Sequence, residues 1–536
     1  MKRLLVSFLG PHLHSLAPAP GAGVGQAVSP RRAPRPNGVQ VSTVLRTSLC
    51  LLLVSCSILT PTVTPPTGSD PLQTPWEDRS IFKDGLVASE QSVLDGLDSA
   101  STYHIEFRIA DDLYHITGTE EVRYTNAETV PLNEVRFRLF PNILGGEMMI
   151  SNLKVDGGSV TPTYELENSL MTVPFSSALE PNQSVVIQMD FAVTVPQTLE
   201  SNYGVLAYAE DVLALAHAYP MIAVYDDEGW NAEIPPESGD VTYADASFYI
   251  VRVSAPKDVV LVMSGREISR YEAGRVQTSV VASGPARDFY LAASPRYEEL
   301  SQTFGEVTIR SYAPRKFRDG AQMALEVASK AMEDFSMHYA PYPYTEFDIV
   351  STPTLALGIE YPGMVAITSR IYDVKKYLGD APASVYMEST VAHEAGHQWF
   401  YNLVGDDQLD DPWLDEALTQ FATLQYYADE YAATGEEGFR KSLEGRWAEV
   451  GNARIPIGLP VAAYSGQEYG AIVYGRGPLF FVALRDEMGK EIFDSFIKDY
   501  TETLSWDIAT PEKLRSMAEE HCNCDLTSLF EEWVYE

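Results

Sequence analysis

Residues 391–400, VAHEAGHQWF, constrain this chain more than any other segment. His393 and His397 are four residues apart, about one helical turn, so both imidazoles project from one helix face and can bind one zinc ion. Glu394 follows the first histidine, where its carboxylate can reach a water on the metal rather than the metal itself. This arrangement is typical of a hydrolase. An apolar stripe predicts a helix that continues past the motif: Val391, Ala395, Trp399 and Leu403.

A third protein ligand separates a catalytic zinc site from a chance occurrence of this short pattern. Glu416, nineteen residues after His397 in DPWLDEALTQF, is the best candidate. Apolar residues on one side predict a second helix there: Leu414, Ala417, Leu418, Phe421 and Leu424. If this helix crosses the first, Glu416 lies under the two histidines. The alternative is an exposed helix glutamate, but its apolar neighbours predict burial, where an unpaired carboxylate is costly and metal ligation removes the cost.

HEAGHQWF followed by WLDEALTQF resembles the paired zinc helices of the aminopeptidase N family of gluzincin zinc metallopeptidases, which also contains the leukotriene hydrolase. The resemblance implies one Zn²⁺ per chain, with His393, His397 and Glu416 as ligands. Glu394 matches the family's general base, which takes a proton from the attacking water.

Two further motifs follow the family's order. GIEYPGM, residues 358–364, is similar to the substrate strand, with Gly358 at its start and Glu360 in the position that binds the free amino group of a peptide. YGRG supplies Tyr474, which corresponds to the tyrosine that stabilises the oxyanion. Four positions depart from the usual family residues: Ile359 for methionine, Tyr361 for asparagine, Ala417 for glycine and Arg476 for lysine. The first two weaken inference about the first side-chain pocket.

The resemblance implies an aminopeptidase that removes N-terminal residues from peptides with a free N-terminus. Two alternatives stay open from the residues alone. A zinc endopeptidase of the same superfamily would need no amine anchor, and a catalytically silent surface-binding lipoprotein would need no base. The presence of Glu394, Tyr474 and all three ligand residues favours the enzyme.

The charge composition limits which classes of partner this chain can bind. It carries 38 basic and 75 acidic residues, so its net charge is 38 − 75 = −37. Such acidity argues against binding to nucleic acid or to anionic membranes by general electrostatics. Oligomeric state does not follow from the sequence.

The amino terminus predicts export. Residues 1–56 form an extension with a short apolar run that ends in Leu-Val-Ser-Cys, which resembles a bacterial lipobox with Cys56 as the lipidated residue. A Pro/Thr-rich tether is predicted over residues 57–98. Together they predict an extracytoplasmic protein, either a cell-surface or a secreted bacterial lipoprotein, with membrane contact only through Cys56. An uncleaved anchor or a disordered extension is the alternative.

The remainder predicts a multidomain chain. Period-two patterns over residues 99–300 predict antiparallel strands, which resemble the family's N-terminal β saddle. Residues 301–536 predict a thermolysin-like α+β catalytic domain, with helices at 317–338, 436–448 and 477–500. We expect no C-terminal helical roof, and therefore an open cleft. Pairing between Cys522 and Cys524 is predicted to be strained, and we expect these cysteines to be structural or mildly redox-active.

Overall fold

The computed structural model describes residues 70–236, 239, 241–379 and 381–536. The predicted signal segment with Cys56, and the tether up to residue 69, lie outside these described residues. In the described part, no helix combines the length and the apolar character needed to cross a membrane.

Residues 70–98 do not extend as a tether. They form three short 3₁₀ helices, Pro71–Gln73, Ser80–Gly85 and Gln91–Asp95, which lie against the strands that follow. Phe82 is buried against Phe248, and its burial removes apolar surface from water. The predicted tether is therefore wrong for this stretch, since it packs as part of the folded body.

The first large unit is built from strands and has its own apolar core. An eight-stranded sheet has the order β16-β17-β14-β1-β2-β8-β4-β5, and two four-stranded sheets have the orders β15-β18-β10-β9 and β11-β3-β7-β6. The strands are β1 Thr102–Ile109, β2 His115–Thr125, β3 Leu132–Arg138, β4 Glu147–Val155, β5 Gly158–Ser159, β6 Thr163–Glu165, β7 Leu170–Leu179, β8 Ser184–Thr194, β9 Leu206–Ala209, β10 Val212–Leu215, β11 Met221–Ile222, β12 Tyr225–Asp226, β13 Gly229–Trp230, β14 Ser247–Pro256, β15 Val260–Met263, β16 Arg266–Ala273, β17 Val276–Ala286 and β18 Leu291–Ser294.

Alternating buried and partly exposed residues form the strands of this unit. In β8 every second side chain is buried, because one face of the sheet packs on the core: Val185, Ile187, Met189, Phe191 and Val193. The pairing is antiparallel as predicted, except that β1 and β14 run parallel, with Thr102 opposite Phe248. Period two predicts strands but not their direction, so this pair was not foreseen.

The second unit combines a five-stranded sheet with helices around another core. Its sheet order is β19-β20-β21-β23-β22, with strands β19 Tyr297–Phe304, β20 Val307–Pro314, β21 Glu346–Thr352, β22 Gly358–Tyr361 and β23 Met364–Thr368, and a small pair β24 Tyr377–Leu378 and β25 Ala381–Pro382. The helices are α1 Arg318–His338, α2 Ala383–Gly396, α3 Leu418–Ala448, α4 Gly466–Ala471, α5 Gly477–Met488, α6 Lys490–Thr503, α7 Pro511–Cys522 and α8 Thr527–Phe530. The predicted fold class, an all-β region before an α+β region, is confirmed. The predicted domain boundaries stay predictions.

Helix ends differ from the predictions in three places. Helix α2 ends at Gly396, and the chain then turns, so the apolar Trp399 and Leu403 are buried from a loop rather than from a helix. The predicted helix 436–448 is the second half of α3, which has a kink at Ala432. The predicted helix 477–500 is two helices, because Gly489 adopts a left-handed φ of 83° between α5 and α6.

The two C-terminal cysteines are paired, a pairing for which the sequence predicted strain. Cys522 and Cys524 form a disulfide, with their Cα atoms 5.1 Å apart. Helix α7 ends at Cys522, and Asn523 takes the left-handed conformation that turns the chain back. That turn brings the two sulfurs together, which the spacing alone did not reveal.

Candidate active site

The three predicted metal ligands meet at one point. His393 lies in the last turn of α2, and His397 is the residue that caps its end. Their Nε2 atoms are 3.2 Å apart, and Glu416 Oε2 lies 3.1 Å from His393 Nε2 and 3.4 Å from His397 Nε2. All three side chains are buried. The structure therefore brings together residues that lie up to 23 positions apart in the sequence.

These distances fit a tetrahedral metal. Bonds of about 2.0–2.1 Å around a tetrahedral zinc place its ligand atoms about 3.3 Å from one another, close to the three separations observed here. His397 Nδ1 lies 3.0 Å from the carbonyl oxygen of Phe400, which can only accept, so Nδ1 carries the hydrogen. The lone pair of the neutral ring is then on Nε2 and faces the other two ligand atoms. Such an outer hydrogen bond is usual for metal-binding histidines.

Local packing sets the two zinc helices at this distance. Gly396 lies against Thr419 of α3, and a Cβ at Gly396 would be only 2.8 Å from Thr419 Cγ2. The turn Trp413–Ala417 is π-helical and continues into α3. Its wider winding carries Glu416 into the cluster, while Trp413 is fully buried and anchors the turn. The apolar neighbours that predicted a buried Glu416 therefore hold it in place.

The charges around the cluster favour a cation. Although burial acts the other way, hydrogen bonds with His393 and His397 hold the pKa of Glu416 well below its usual value. Burial also opposes a proton on His397, but the Glu360 and Glu416 carboxylates raise the pKa of this histidine well above its usual value. Burial lowers the pKa of His393 to about 4. An added proton on His397 would sit on Nε2, the position for which a metal ion competes.

Glu394 occupies the position expected of a base beside the metal. The residues Glu360, Glu394 and His397 place ligand-type atoms within 4.8 Å of one another. Burial, reinforced by the charge of Glu360, raises the pKa of Glu394 well above its usual value. Gly358 packs directly against this side chain, since a Cβ there would lie 2.4 Å from Glu394 Oε1. A carboxyl with a raised pKa is suited to accept a proton and to give it up again.

Glu360 lies on the edge strand of the five-stranded sheet. Strand β22 pairs only with β23, and Gly363 makes the turn between them with a φ of 73°. Gln398, next to the predicted zinc ligand His397, donates to the carbonyl of Tyr361 and accepts from the N–H of Gly363. This glutamine fixes the hairpin to the end of α2. Glu360 therefore keeps its position beside the ligands.

Tyr474 also reaches the cluster. It lies in a π-helical segment, Ile472–Arg476, and its hydroxyl donates to Glu416 Oε1. Its ring centroid is 6.0 Å from that of His393. The hydroxyl is therefore next to the metal ligands, where the sequence motif predicted a donor. Arg476, by contrast, points away and donates to the carbonyls of Ile455, Glu532 and Trp533.

Two residues of the site were missed by the sequence reasoning. Gln408 Nε2 donates to Glu360 Oε1 at 3.1 Å and to Asp415 Oδ2 at 2.7 Å. Both Gln408 and Asp415 are buried. The only available signal was the density of acidic residues from 406 to 416, which does not tell which of them face the cleft.

The geometry agrees with the family comparison. The profile of the Peptidase family M1 domain matches residues 323–533, which contain both zinc helices, Glu360 and Tyr474. Residues 323–533 belong to peptidase family M1. The resemblance to the aminopeptidase N family is thus confirmed, and this family implies zinc at the His/Glu cluster.

Curated relatives of this chain are named as aminopeptidases. Aminopeptidase M1-B of Oryza sativa subsp. japonica is 25% identical over 296 residues, which cover 53% of this chain and 33% of the relative. Endoplasmic reticulum aminopeptidase 1 of Homo sapiens is 25% identical over 238 residues, which cover 43% of this chain and 25% of the relative. The chain thus spans a quarter to a third of the length of these relatives.

Solved structures match over much more of this chain. The M1 zinc metallopeptidase from Deinococcus radiodurans has a TM-score of 0.57 at 18% identity and covers 81% of this chain and 93% of its own. A two-domain M1 zinc metallopeptidase bound to L-tryptophan has a TM-score of 0.58 at 18% identity, with 82% and 94% covered. At this identity the match establishes the fold, which is a two-domain M1 arrangement.

Proposed function

We propose that this M1 protein is a zinc-dependent aminopeptidase that holds one Zn²⁺ through His393, His397 and Glu416. The observation that carries the proposal is the trio of ligand atoms at tetrahedral spacing, with Glu394 and Glu360 buried beside it. A metal site for structure alone needs neither a base nor an amine anchor. The aminopeptidase relatives and the family match support the same activity.

When bound, zinc polarises water and the scissile carbonyl and lowers the pKa of the water to about 7. Glu394 accepts the proton of the attacking water and later passes it to the departing amine. The Tyr474 hydroxyl donates to the oxyanion, which requires it to exchange its present acceptor, Glu416, for the substrate oxygen. Glu360 binds the protonated amino group of the peptide and so selects the N-terminal residue.

Peptides with a free N-terminus are the proposed substrates. The Deinococcus radiodurans M1 zinc metallopeptidase, which shares this fold with a TM-score of 0.57, is described in complex with a Tyr-Ser-Ala substrate. The buried carboxylate of Glu360 beside the ligand cluster supports the same class here, because a desolvated ammonium needs a charged partner.

Anchoring at a bacterial cell surface is a separate proposal, which rests on the lipobox-like segment ending at Cys56. Expression of the full chain in a bacterial host with a tagged fatty acid tests it. Label on the full chain that is lost in Cys56→Ser supports the anchor, and equal labelling of both overturns it.

A comparison of free and blocked substrates tests the aminopeptidase proposal. We expect wild type to hydrolyse L-leucine p-nitroanilide and not its N-acetyl form, with activity lost in a chelator. Glu360→Ala should lower kcat/KM for the free amine by about 100-fold or more, because one charge-assisted contact is removed. Equal rates on the free and acetylated substrates would contradict the aminopeptidase assignment and favour an endopeptidase.

A further inference from the structure

A loop between the zinc helices, Gly405–Pro412, carries a glutamine that nothing in the sequence motifs assigns. Gln408 is only 2% exposed. The loop around it is fixed by its own hydrogen bonds, since Asp407 Oδ1 accepts from the N–H groups of Leu409 and Asp410. The carbonyl of Leu409 accepts from Val461 N at 2.8 Å, which ties the loop to the helical part of the domain. Gln408 is therefore held rigidly beside the cleft.

The amide of Gln408 links two carboxylates. Its Nε2 donates to Glu360 Oε1 at 3.1 Å and to Asp415 Oδ2 at 2.7 Å, so both amide hydrogens are used. These two contacts identify the nitrogen of the amide. If Oε1 occupied the position of Nε2, it would face two carboxylate oxygens and could not donate to either. Oε1 of Glu360 is thereby held by Gln408. This contact fixes the orientation of the Glu360 carboxyl group from the loop Gly405–Pro412.

Two buried acceptors then remain. Gln408 Oε1 and Asp415 Oδ1 are buried and have no hydrogen-bond partner among the described residues. A buried acceptor without a donor is unfavourable by about 1–3 kcal/mol, so a built site normally supplies a donor. A primary ammonium brings three N–H donors and no acceptor.

The β region offers two neighbouring acidic residues, Glu210 and Asp211, which form the tight turn between β9 and β10, where both have positive φ. Asp211 pairs with Arg296. Gln408, in contrast, touches Glu360 directly.

We propose that Gln408 completes the amine subsite of the proposed aminopeptidase, with Nε2 positioning Glu360 and Oε1 accepting from the primary ammonium of the substrate's N-terminal residue. The proposal rests on the proposed function, because it refines how that site recognises an amine. It places a second contact for the substrate's ammonium, besides Glu360, on the loop between the zinc helices.

A pair of inhibitors isolates the amine contribution. L-leucine hydroxamate and its des-amino analogue, 4-methylpentanohydroxamate, share the metal-binding group and the side chain and differ only in the amine. For Gln408→Met, which conserves volume, we expect the inhibition constant of L-leucine hydroxamate to rise tenfold or more, as expected for a hydrogen bond to a charged group. The constant of the des-amino compound should change less than twofold, and the zinc content should stay at the wild-type level.

Matched variants separate this role from a structural one. Gln398→Met removes another buried glutamine beside Glu360, but one that bonds only backbone groups of the β22–β23 turn, so it should weaken both inhibitors alike. Gln408→Leu also removes both the donors and the acceptor, with a different apolar shape, and it should resemble Gln408→Met. If Gln408→Met proves unstable, the same inhibitor pair on Gln408→Leu decides the question.

The outcomes also separate the two proposals. If wild type hydrolyses L-leucine p-nitroanilide but the ratio of the two inhibition constants is unchanged in the Gln408 variants, the role of Gln408 is overturned and the enzyme assignment stands. If both inhibitors weaken equally, Gln408 is structural and the proposal is likewise overturned. If wild type shows no hydrolysis at all, the proposed function itself fails.

Discussion

At the scale of single residues, the site depends on Gly358, because this residue has no side chain. Gly358 lies where any Cβ would be 2.4–2.5 Å from the carboxylate and Cγ of Glu394. Real atoms do not approach this closely, so a larger residue must displace Glu394 or the edge strand. The glycine therefore contributes by leaving room for the base, in addition to its predicted place in the substrate strand.

Gly358→Ala should lower kcat by about 100-fold or more, because a shift of about 1 Å in a catalytic group is enough for such a loss. Zinc content should be unchanged, since the ligands do not contact this position. The control is Gly85→Ala, where the nearest atom to the new Cβ is 3.7 Å away. Steady-state kinetics together with metal analysis checks this, and a Gly358→Ala enzyme with wild-type kcat would contradict it.

The ligand residues were predictable and the Gln408 contact was not. His393 and His397 stand in a spacing that a helix turns directly into geometry, whereas Glu416 was identified from its apolar neighbours and from the family resemblance. Gln408 and Glu360 are 48 positions apart, and their contact depends on how a loop crosses a sheet edge. No local pattern encodes such a contact.

At the scale of elements, helix α1 carries a buried acidic group that makes stability depend on pH. Asp334 is 8% exposed, and its Oδ2 has no hydrogen-bond partner among the described residues. Burial, followed by the charges of Asp429 and Glu430, raises the pKa of Asp334 to about 7. The nearby His338 acts in the other direction but does not cancel this shift.

The sign of the effect follows from proton binding. Between an unfolded pKa near 3.8 and a folded pKa of about 7, the folded state holds a proton that the unfolded state has released. The free energy of unfolding therefore falls as pH rises through this window. Asp334→Asn should remove the effect, and it should raise the free energy of unfolding at pH 8 by about 1 kcal/mol while changing it little at pH 4. Urea unfolding at both pH values measures this, and an equal change at both would refute the assignment.

Helix boundaries were the weakest part of the sequence reasoning. The apolar stripe through Trp399 and Leu403 predicted a longer α2, but these residues are buried from a turn that continues after Gly396. Apolar residues that are spaced like one face of a helix can also be buried from a loop, if that loop packs under other elements. Helix α1, Arg318–His338, was predicted closely, at residues 317–338.

At the scale of the whole molecule, one arginine joins the two units. Arg287 follows β17, is 2% exposed, and donates to the carbonyls of Ala244 in the β unit and of Asn402, Leu403 and Asp507 in the catalytic unit. Gly405 makes room for it, since a Cβ there would lie 2.4 Å from the guanidinium carbon. Two of the residues it holds, Asn402 and Leu403, lie in the turn that follows His397.

Arg287→Met should destabilise the molecule by about 3 kcal/mol or more, because several buried carbonyls lose their donors. Arg270→Met, which removes a partly exposed arginine paired with Glu267, should change stability by no more than about 0.5 kcal/mol. Thermal unfolding of both variants provides the comparison. Similar melting temperatures for the two would show that Arg287 does not join the units energetically.

Three residues are proposed to hold one zinc ion, and Glu394 is proposed to act as the base beside it. The most direct measurement is a titration of the metal-free protein with Zn²⁺ while the hydrolysis of L-leucine p-nitroanilide is followed. We predict that activity returns linearly and saturates at one equivalent per chain, and that Glu394→Gln binds the same single equivalent with turnover reduced at least about 1,000-fold. Full activity without metal, saturation at two equivalents, or a wild-type rate in Glu394→Gln would contradict the account.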